Sequence, residues 1–121
     1  MYNVLRQSDI TFCDVDNTLI YWRTDANNEA PGTIKLRYGD EDVWLRPHKF
    51  HPRLVKHFYN RGDYVIVWSQ NGYEWAEQVV KALGLQNHVH LIMDKGNRHI
   101  DDKEDLTSIV GSRIFIEDDV E

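Results

Sequence analysis

The chain has 121 residues, with 14 lysines and arginines against 20 aspartates and glutamates, a formal charge of −6. That length suits a single domain over 1–121, large enough to bury roughly two thirds of its unfolded surface without disulfides or a structural metal. An apolar share of 41% with 28% charged residues excludes a disordered chain, and no run reaches the ~20 apolar residues of a membrane span.

Ile10-Thr11-Phe12-Cys13-Asp14 is short, apolar and rich in β-formers, and predicts a buried strand ending on a carboxylate. Thr33–Tyr38 and Val43–Arg46 flank Gly39-Asp40-Glu41-Asp42, the pattern of a small hairpin. Pro52 suits a first helical turn, and Leu54, Val55, Phe58 and Tyr59 recur at helical spacing up to Gly62, which predicts a helix over about 52–61. Tyr64–Trp68 predicts a second buried strand, followed by Ser69-Gln70-Asn71-Gly72. Trp75, Ala76, Val79, Val80 and Leu83 line one helical face, which Gly84 ends. Val89–Met93 predicts a third parallel strand, Lys103–Val110 a short helix, and Arg113-Ile114-Phe115-Ile116 a fourth strand that ends in Glu117-Asp118-Asp119.

Strands alternating with helices imply an α/β fold, a Rossmann-like parallel sheet of about four strands with helices on both faces, plus a β-hairpin flap. Ligands of such sheets bind at the carboxyl ends of the strands. There the first strand delivers Asp14, Asp16 and Thr18, the second Ser69, and the fourth Glu117, Asp118 and Asp119. So many carboxylates in one crevice repel one another unless a cation joins them, and Mg2+ is the natural partner because it takes oxygen ligands and bridges carboxylates to phosphate. Lys95 and Lys103 supply nearby positive charge for an anion.

The charge is also unevenly spread. From Asp94 onward there are nine acids against four bases, whereas 43–60 holds Arg46, Lys49, Arg53 and Lys56, with His48, His51 and His57, and no acid. An acidic site facing a basic edge suits a metal and an anionic ligand, such as a nucleotide or a nucleic-acid end. Met1–Asp9 lacks the apolar stretch of a signal peptide, and the single Cys13 can form no internal disulfide, so a cytoplasmic setting is expected.

Asp14-Val15-Asp16-Asn17-Thr18-Leu19 after an apolar strand resembles the first motif of the haloacid dehalogenase superfamily, the aspartate-nucleophile phosphatases. Val65–Ser69 is similar to its second motif, Lys103 to its third and Ile114–Asp119 to its fourth, in the family's order. Trp44-Leu45-Arg46-Pro47, Trp68-Ser69 and Lys103–Leu106 resemble in layout the small capless phosphatases related to the carboxy-terminal-domain phosphatases. The resemblance implies Asp14 as nucleophile through an aspartyl-phosphate and Asp16 as general acid and base. It implies Mg2+ held by Asp14, the Asp16 carbonyl and Asp118, with Glu117 and Asp119 behind them, and phosphoryl oxygens held by Thr18, Ser69, Gln70, Asn71 and Lys103, with Lys95 as the alternative lysine. The segments between the motifs are too short for a substrate-covering cap, so an open crevice is expected, with a phosphorylated small molecule, polyanion or phosphoprotein as substrate. Trp22 and Trp44, beside the crevice, are positioned to stack a flat substrate.

Rival readings have weaker support. An EF-hand calcium loop fails because Leu19 stands where the turn needs glycine. A cysteine phosphatase loop would need arginine at the position of Leu19. A phosphoacceptor receiver domain would place its acceptor aspartate at the end of a later strand near mid-chain, but 43–62 holds no acid and the second strand ends on Ser69. A non-catalytic domain that binds phosphate or a partner on the same fold remains the alternative function. The six histidines show no zinc-site spacing.

Overall fold

The computed structural model describes residues 9–23 and 30–118. β-Branched and aromatic runs build two three-stranded sheets. In the first, β1 (Ile10–Cys13), β5 (Tyr64–Ser69) and β6 (Leu91–Asp94) lie parallel in the order β1-β5-β6. Cys13 stands opposite Val67, and Ser69 opposite Asp94. In the second, β2 (Ile20–Arg23), β3 (Ile34–Tyr38) and β4 (Glu41–Pro47) run antiparallel in the order β2-β4-β3. The expected hairpin is β3 and β4, joined by Gly39-Asp40 with Gly39 at φ 64°, a conformation glycine adopts without strain. β2 is an addition to the predicted elements.

Between the sheets' strands run α1 (His51–Asn60) and α2 (Tyr73–Ala82), both close to their predicted spans. Val55 from α1 and Trp75, Ala76, Val79 and Val80 from α2 share one core with Cys13, Val65 and Val67. Full burial of each valine or leucine here is worth about 1.5–3 kcal/mol. Leu19, Ile20 and Leu45, all fully buried, tie the second sheet into the same core.

Two expectations change. Among the described residues, α1 and α2 cover one face of the parallel sheet rather than both, because two right-handed crossovers proceeding in the same direction across a sheet fall on the same side. The opposite face leaves Ile10, Phe12, Tyr64 and Leu91 exposed, with Phe12 stacked on Trp68 at 4.3 Å. The second change is at Arg113–Ile116, which is not a strand, so the described parallel sheet has three strands rather than four. Its main chain is engaged elsewhere: the Ile116 N–H donates to His51 Nε2 and the Ile116 carbonyl meets His48 Nε2, each at 3.0 Å. The short helix α3 (Leu106–Val110) precedes it, its first turn capped by Asp105, which accepts from the Ser108 N–H. No helix of the described residues is long and apolar enough to cross a membrane.

Candidate phosphoryl site at the carboxyl ends of the strands

Asp14 follows the last residue of β1. The loop after it is pinned from within: the Val15 carbonyl accepts from the N–H groups of Thr18 and Leu19, at 3.1 and 2.8 Å, and Val15, Leu19 and Ile20 are wholly buried. Asn17 turns the loop at φ 65°, a left-handed conformation that asparagine tolerates better than most residues. This turn brings the Thr18 hydroxyl back to donate to Asp14 Oδ2 at 3.2 Å. From the far side, Lys95 Nζ lies 3.5 Å from Asp14 Oδ1. Lys95 is set there by its own N–H, which donates to the Ser69 carbonyl at 2.9 Å, so the end of β5 and the residue after β6 are locked together.

Ser69 is fully buried at the end of β5, and its Oγ accepts from the Asn71 N–H at 3.0 Å. Gln70 and Asn71 are exposed in the turn that follows. The turn is braced by Asp94, whose Oδ1 accepts the Tyr73 N–H at the start of α2. A groove of about 720 Å3 runs along the open edge of β1, with Phe12, Asp14, Thr18, Phe58, Lys95 and Phe115 among its walls. Asp14 therefore faces a space large enough for a small ligand.

Asp16 has donors of its own. Its Oδ1 accepts from two indoles, Trp22 Nε1 at 2.7 Å and Trp75 Nε1 at 3.1 Å, and its Oδ2 accepts from Asn71 Nδ2 at 2.8 Å. The same residues close the second sheet onto the strand ends: Trp22, Tyr38 and Trp75 pack with ring centroids 5.2–5.4 Å apart, and the Tyr38 hydroxyl donates to Asn71 Oδ1. Gln78 of α2 adds a bond to the Arg37 carbonyl. The flap is thus docked on α2. Trp22 spends its ring on Tyr38 and Trp75, while Trp44 carries Lys35 over its face at 6.0 Å.

The structure separates the remaining candidates. Lys103, the lysine favoured by sequence, is exposed beside Asp102, and it is Lys95 that meets Asp14. Asp118 is buried against Arg46 Nη1 at 3.0 Å and the Lys49 N–H at 2.9 Å, Glu117 is exposed, and Asp119 lies outside the described residues. Among the described residues no group of three or more histidine, cysteine or acidic side chains could hold a metal ion. The ion the resemblance implies would sit on Asp14, the Asp16 carbonyl and Asp118; with Asp118 turned to Arg46 and the Lys49 N–H, the described side chains as placed do not gather around such an ion. Burial, then the adjacent Asp14 charge, push the Cys13 thiol up to about 12.

Sequence reasoning missed the histidine pair beside this site. His48 and His51 are buried and stacked, ring centroids 3.7 Å apart. Their partners fix their protonation. His48 Nδ1 accepts from the N–H groups of Phe50 and His51, which caps the start of α1 and leaves the proton on Nε2 for the Ile116 carbonyl. His51 Nε2 accepts from Ile116, so its Nδ1–H donates to the Thr18 carbonyl at 2.7 Å. Both rings are neutral, and burial followed by the His51 neighbour holds the His48 imidazole below its ordinary value. The one signal in the sequence was the placement of two histidines three apart at a helix start inside an acid-free stretch. Models of protein families, curated proteins and solved structures were all compared with the chain, and none matches it.

Proposed function

We propose that the chain is a phosphatase acting on phosphomonoesters, with Asp14 as the group that attacks phosphorus. The observation that carries this reading is the triad of contacts at one strand end: a carboxylate with Thr18 on one oxygen, a lysine ammonium 3.5 Å from the other, and a groove open beside it. Phosphoryl transfer asks for positioning and positive charge more than for covalent machinery. Lys95 supplies the charge and the Thr18 hydroxyl positions the Asp14 carboxylate, at the carboxyl end of a parallel sheet, where ligands of such folds bind.

In the first step an Asp14 oxygen bonds to phosphorus as the bond to the ester oxygen breaks, its electron pair leaving with that oxygen. Lys95 offsets charge on the equatorial oxygens, and the ester oxygen takes a proton from Asp16. Two part-buried indole bonds hold Asp16 Oδ1, whereas the bond from Asn71 to Oδ2 is exposed, so Oδ2 is the oxygen through which that proton passes. In the second step water attacks phosphorus, gives its proton to Asp16 and releases phosphate, restoring the Asp14 carboxylate. No step here passes through Mg2+, and a divalent cation enters as a variable of the assay.

A second reading, phosphate binding without turnover, is favoured by one observation: the Asn71 donor on Asp16 Oδ2 must give way whenever that oxygen exchanges a proton. Hydrolysis of an aryl phosphate by the wild type and by Asp14→Asn, each with and without Mg2+, tests both. Turnover by the wild type with loss in Asp14→Asn supports the phosphatase. Equal activity in the two proteins overturns Asp14 as nucleophile, and phosphate binding without turnover in either selects the second reading.

A further inference from the structure

β1 is an end strand with an open side. Among the described residues the parallel sheet stops at β1, so one edge of Ile10–Cys13 has no strand beyond it. The ladder with β5 fixes which main-chain groups that leaves. Ile10 stands opposite Tyr64 and the Tyr64 N–H donates to the Asp9 carbonyl, so that carbonyl and the N–H and C=O groups of Thr11 and Cys13 face β5. Ile10 and Phe12 therefore turn theirs outward, to the groove beside Asp14.

That groove, of about 720 Å3, continues from Asp14 along β1 as far as Asp9, Arg61 and Asp63. Leu54 and Phe58 of α1 and the segment 110–115 line it together with β1, so the edge is recessed. At the far end the polar side chains are spent on one another: the Thr11 hydroxyl donates to Asp63 Oδ2 at 2.7 Å, and Arg61 meets Asp63 at 2.9 Å and Asp9 at 3.5 Å. Beyond Asp14 a ligand thus meets apolar side chains and a row of main-chain donors and acceptors. A hydrocarbon body would cover those main-chain groups without pairing them, which is costly. An extended main chain pairs with them.

We propose that the open edge of β1 takes an extended peptide segment of a partner protein, which joins the parallel sheet as a further strand. A rise of about 3.3 Å per residue sets the outward groups of Ile10 and Phe12 about 6.6 Å apart, the two-residue repeat at which an extended peptide presents its own. The peptide's side chains fall alternately beside Leu54 and Phe58 of α1 and beside Ile10 and Phe12, which are 52% and 46% exposed on the uncovered face. It is therefore a segment with apolar or β-branched residues on both faces, as strands inside a parallel sheet carry. A second copy of this chain fits less well, because its own β1 is recessed among the same α1 and 110–115. Binding of this kind asks no chemistry of Asp14, which lies at one end of the groove.

The probe is an acetylated, amidated peptide of alternating valine and threonine, titrated into the full chain and followed by the amide resonances of Ile10 and Phe12. In the free chain those two amides should exchange with solvent quickly, unlike those of Thr11 and Cys13, and they should become protected as the peptide binds. N-methylation at every residue removes the peptide's donors and should weaken binding by about tenfold or more, the loss of one or more ordinary hydrogen bonds. Ile10→Pro removes one outward donor at the first residue of the strand, where proline is tolerated, and should weaken binding by about fivefold with the circular dichroism unchanged. Asp14→Asn should bind the peptide as the wild type does, which separates this site from the hydrolytic reading. Equal affinity for the two peptides, binding of neither, or Ile10 and Phe12 amides already protected in the free chain overturns the proposal. Protection that appears only as the chain's own concentration is raised selects a second copy as the occupant and overturns it as well.

Discussion

Replacing Asp16 separates its architectural work from its chemical work. In Asp16→Ala three donors lose their acceptor at once, and one of them, the indole N–H of Trp75, belongs to a residue only 3% exposed. A hydrogen bond to a charged group contributes about 1.5–3 kcal/mol, and a donor left buried costs about 1–3 kcal/mol. These terms overlap in one network, so a total near 3 kcal/mol is expected. For a domain of this size that lowers the thermal midpoint by roughly 12 °C. Asp16→Asn should behave differently. Its carbonyl oxygen can still take both indole N–H groups. Its new amide meets Asn71 Nδ2, a donor against a donor, but a flip of the Asn71 amide restores an acceptor there and turns a donor toward the Tyr38 hydroxyl. The cost should fall to about 1 kcal/mol, while proton transfer to an alkyl ester oxygen is lost. Urea and thermal unfolding of both variants, with hydrolysis of an alkyl and an aryl phosphate, read the two effects apart. An Asp16→Ala protein as stable as the wild type would refute the claim that Asp16 pins the second sheet to the strand ends.

Three further outcomes follow from the same contacts. Lys95→Ala should lower kcat/KM for an aryl phosphate by about 10²-fold or more, as expected for a lost donor to transferring oxygens, whereas Lys103→Ala should stay within about twofold because its side chain is exposed beside Asp102. Leu45→Ala should cost about 2–5 kcal/mol in urea unfolding, since a fully buried side chain joins the two sheets there. Stability should fall on acidification in two stages. His48 is held below 6.5 in the fold, by burial first and His51 second, so the unfolded chain gains protons first and stability declines as pH drops below about 6.5. Burial pushes the Asp118 carboxyl up, but the Lys49 N–H and Arg46 outweigh it and hold the carboxyl below its ordinary value, so the second decline comes beneath pH 3.8. His48→Asn keeps an acceptor for the Phe50 and His51 N–H groups and removes the titrating ring. The urea midpoint of that variant should lose the upper stage, and an unchanged profile would contradict the assignment.

The parts of the fold that one segment decides for itself were readable in the sequence. β1 and β5 announce themselves by unbroken β-forming runs, and α1 and α2 by apolar residues at helical spacing with Pro52 and Gly84 near their ends. What required a partner was not readable. Arg113–Ile116 has the composition of a strand, yet a strand exists only on a ladder, and two histidines have taken the main-chain groups of Ile116. Ile20–Arg23 is a strand because β4 lies beside it, Ile20 opposite Pro47 and Arg23 opposite Trp44. The same limit applies to the site. Motif order pointed to Asp14 and to a lysine, but only the bond between the Lys95 N–H and Ser69 says which lysine arrives. Asp16 and Asp118 carry the right chemistry at suitable positions along the chain, and their hydrogen-bond partners, indoles and an arginine, come from elements whose packing the spacing did not encode.

The covalent state of Asp14 during reaction tests the central claim most directly. The chain would be mixed with an aryl phosphate, quenched in acid and weighed intact, then digested to locate any adduct, with Asp14→Asn treated alongside. The peptide containing Asp14 should gain one phosphoryl group, abolished in Asp14→Asn and diminished in Lys95→Ala. Turnover of the substrate with no adduct on that peptide, or an adduct that persists in Asp14→Asn, would contradict that claim.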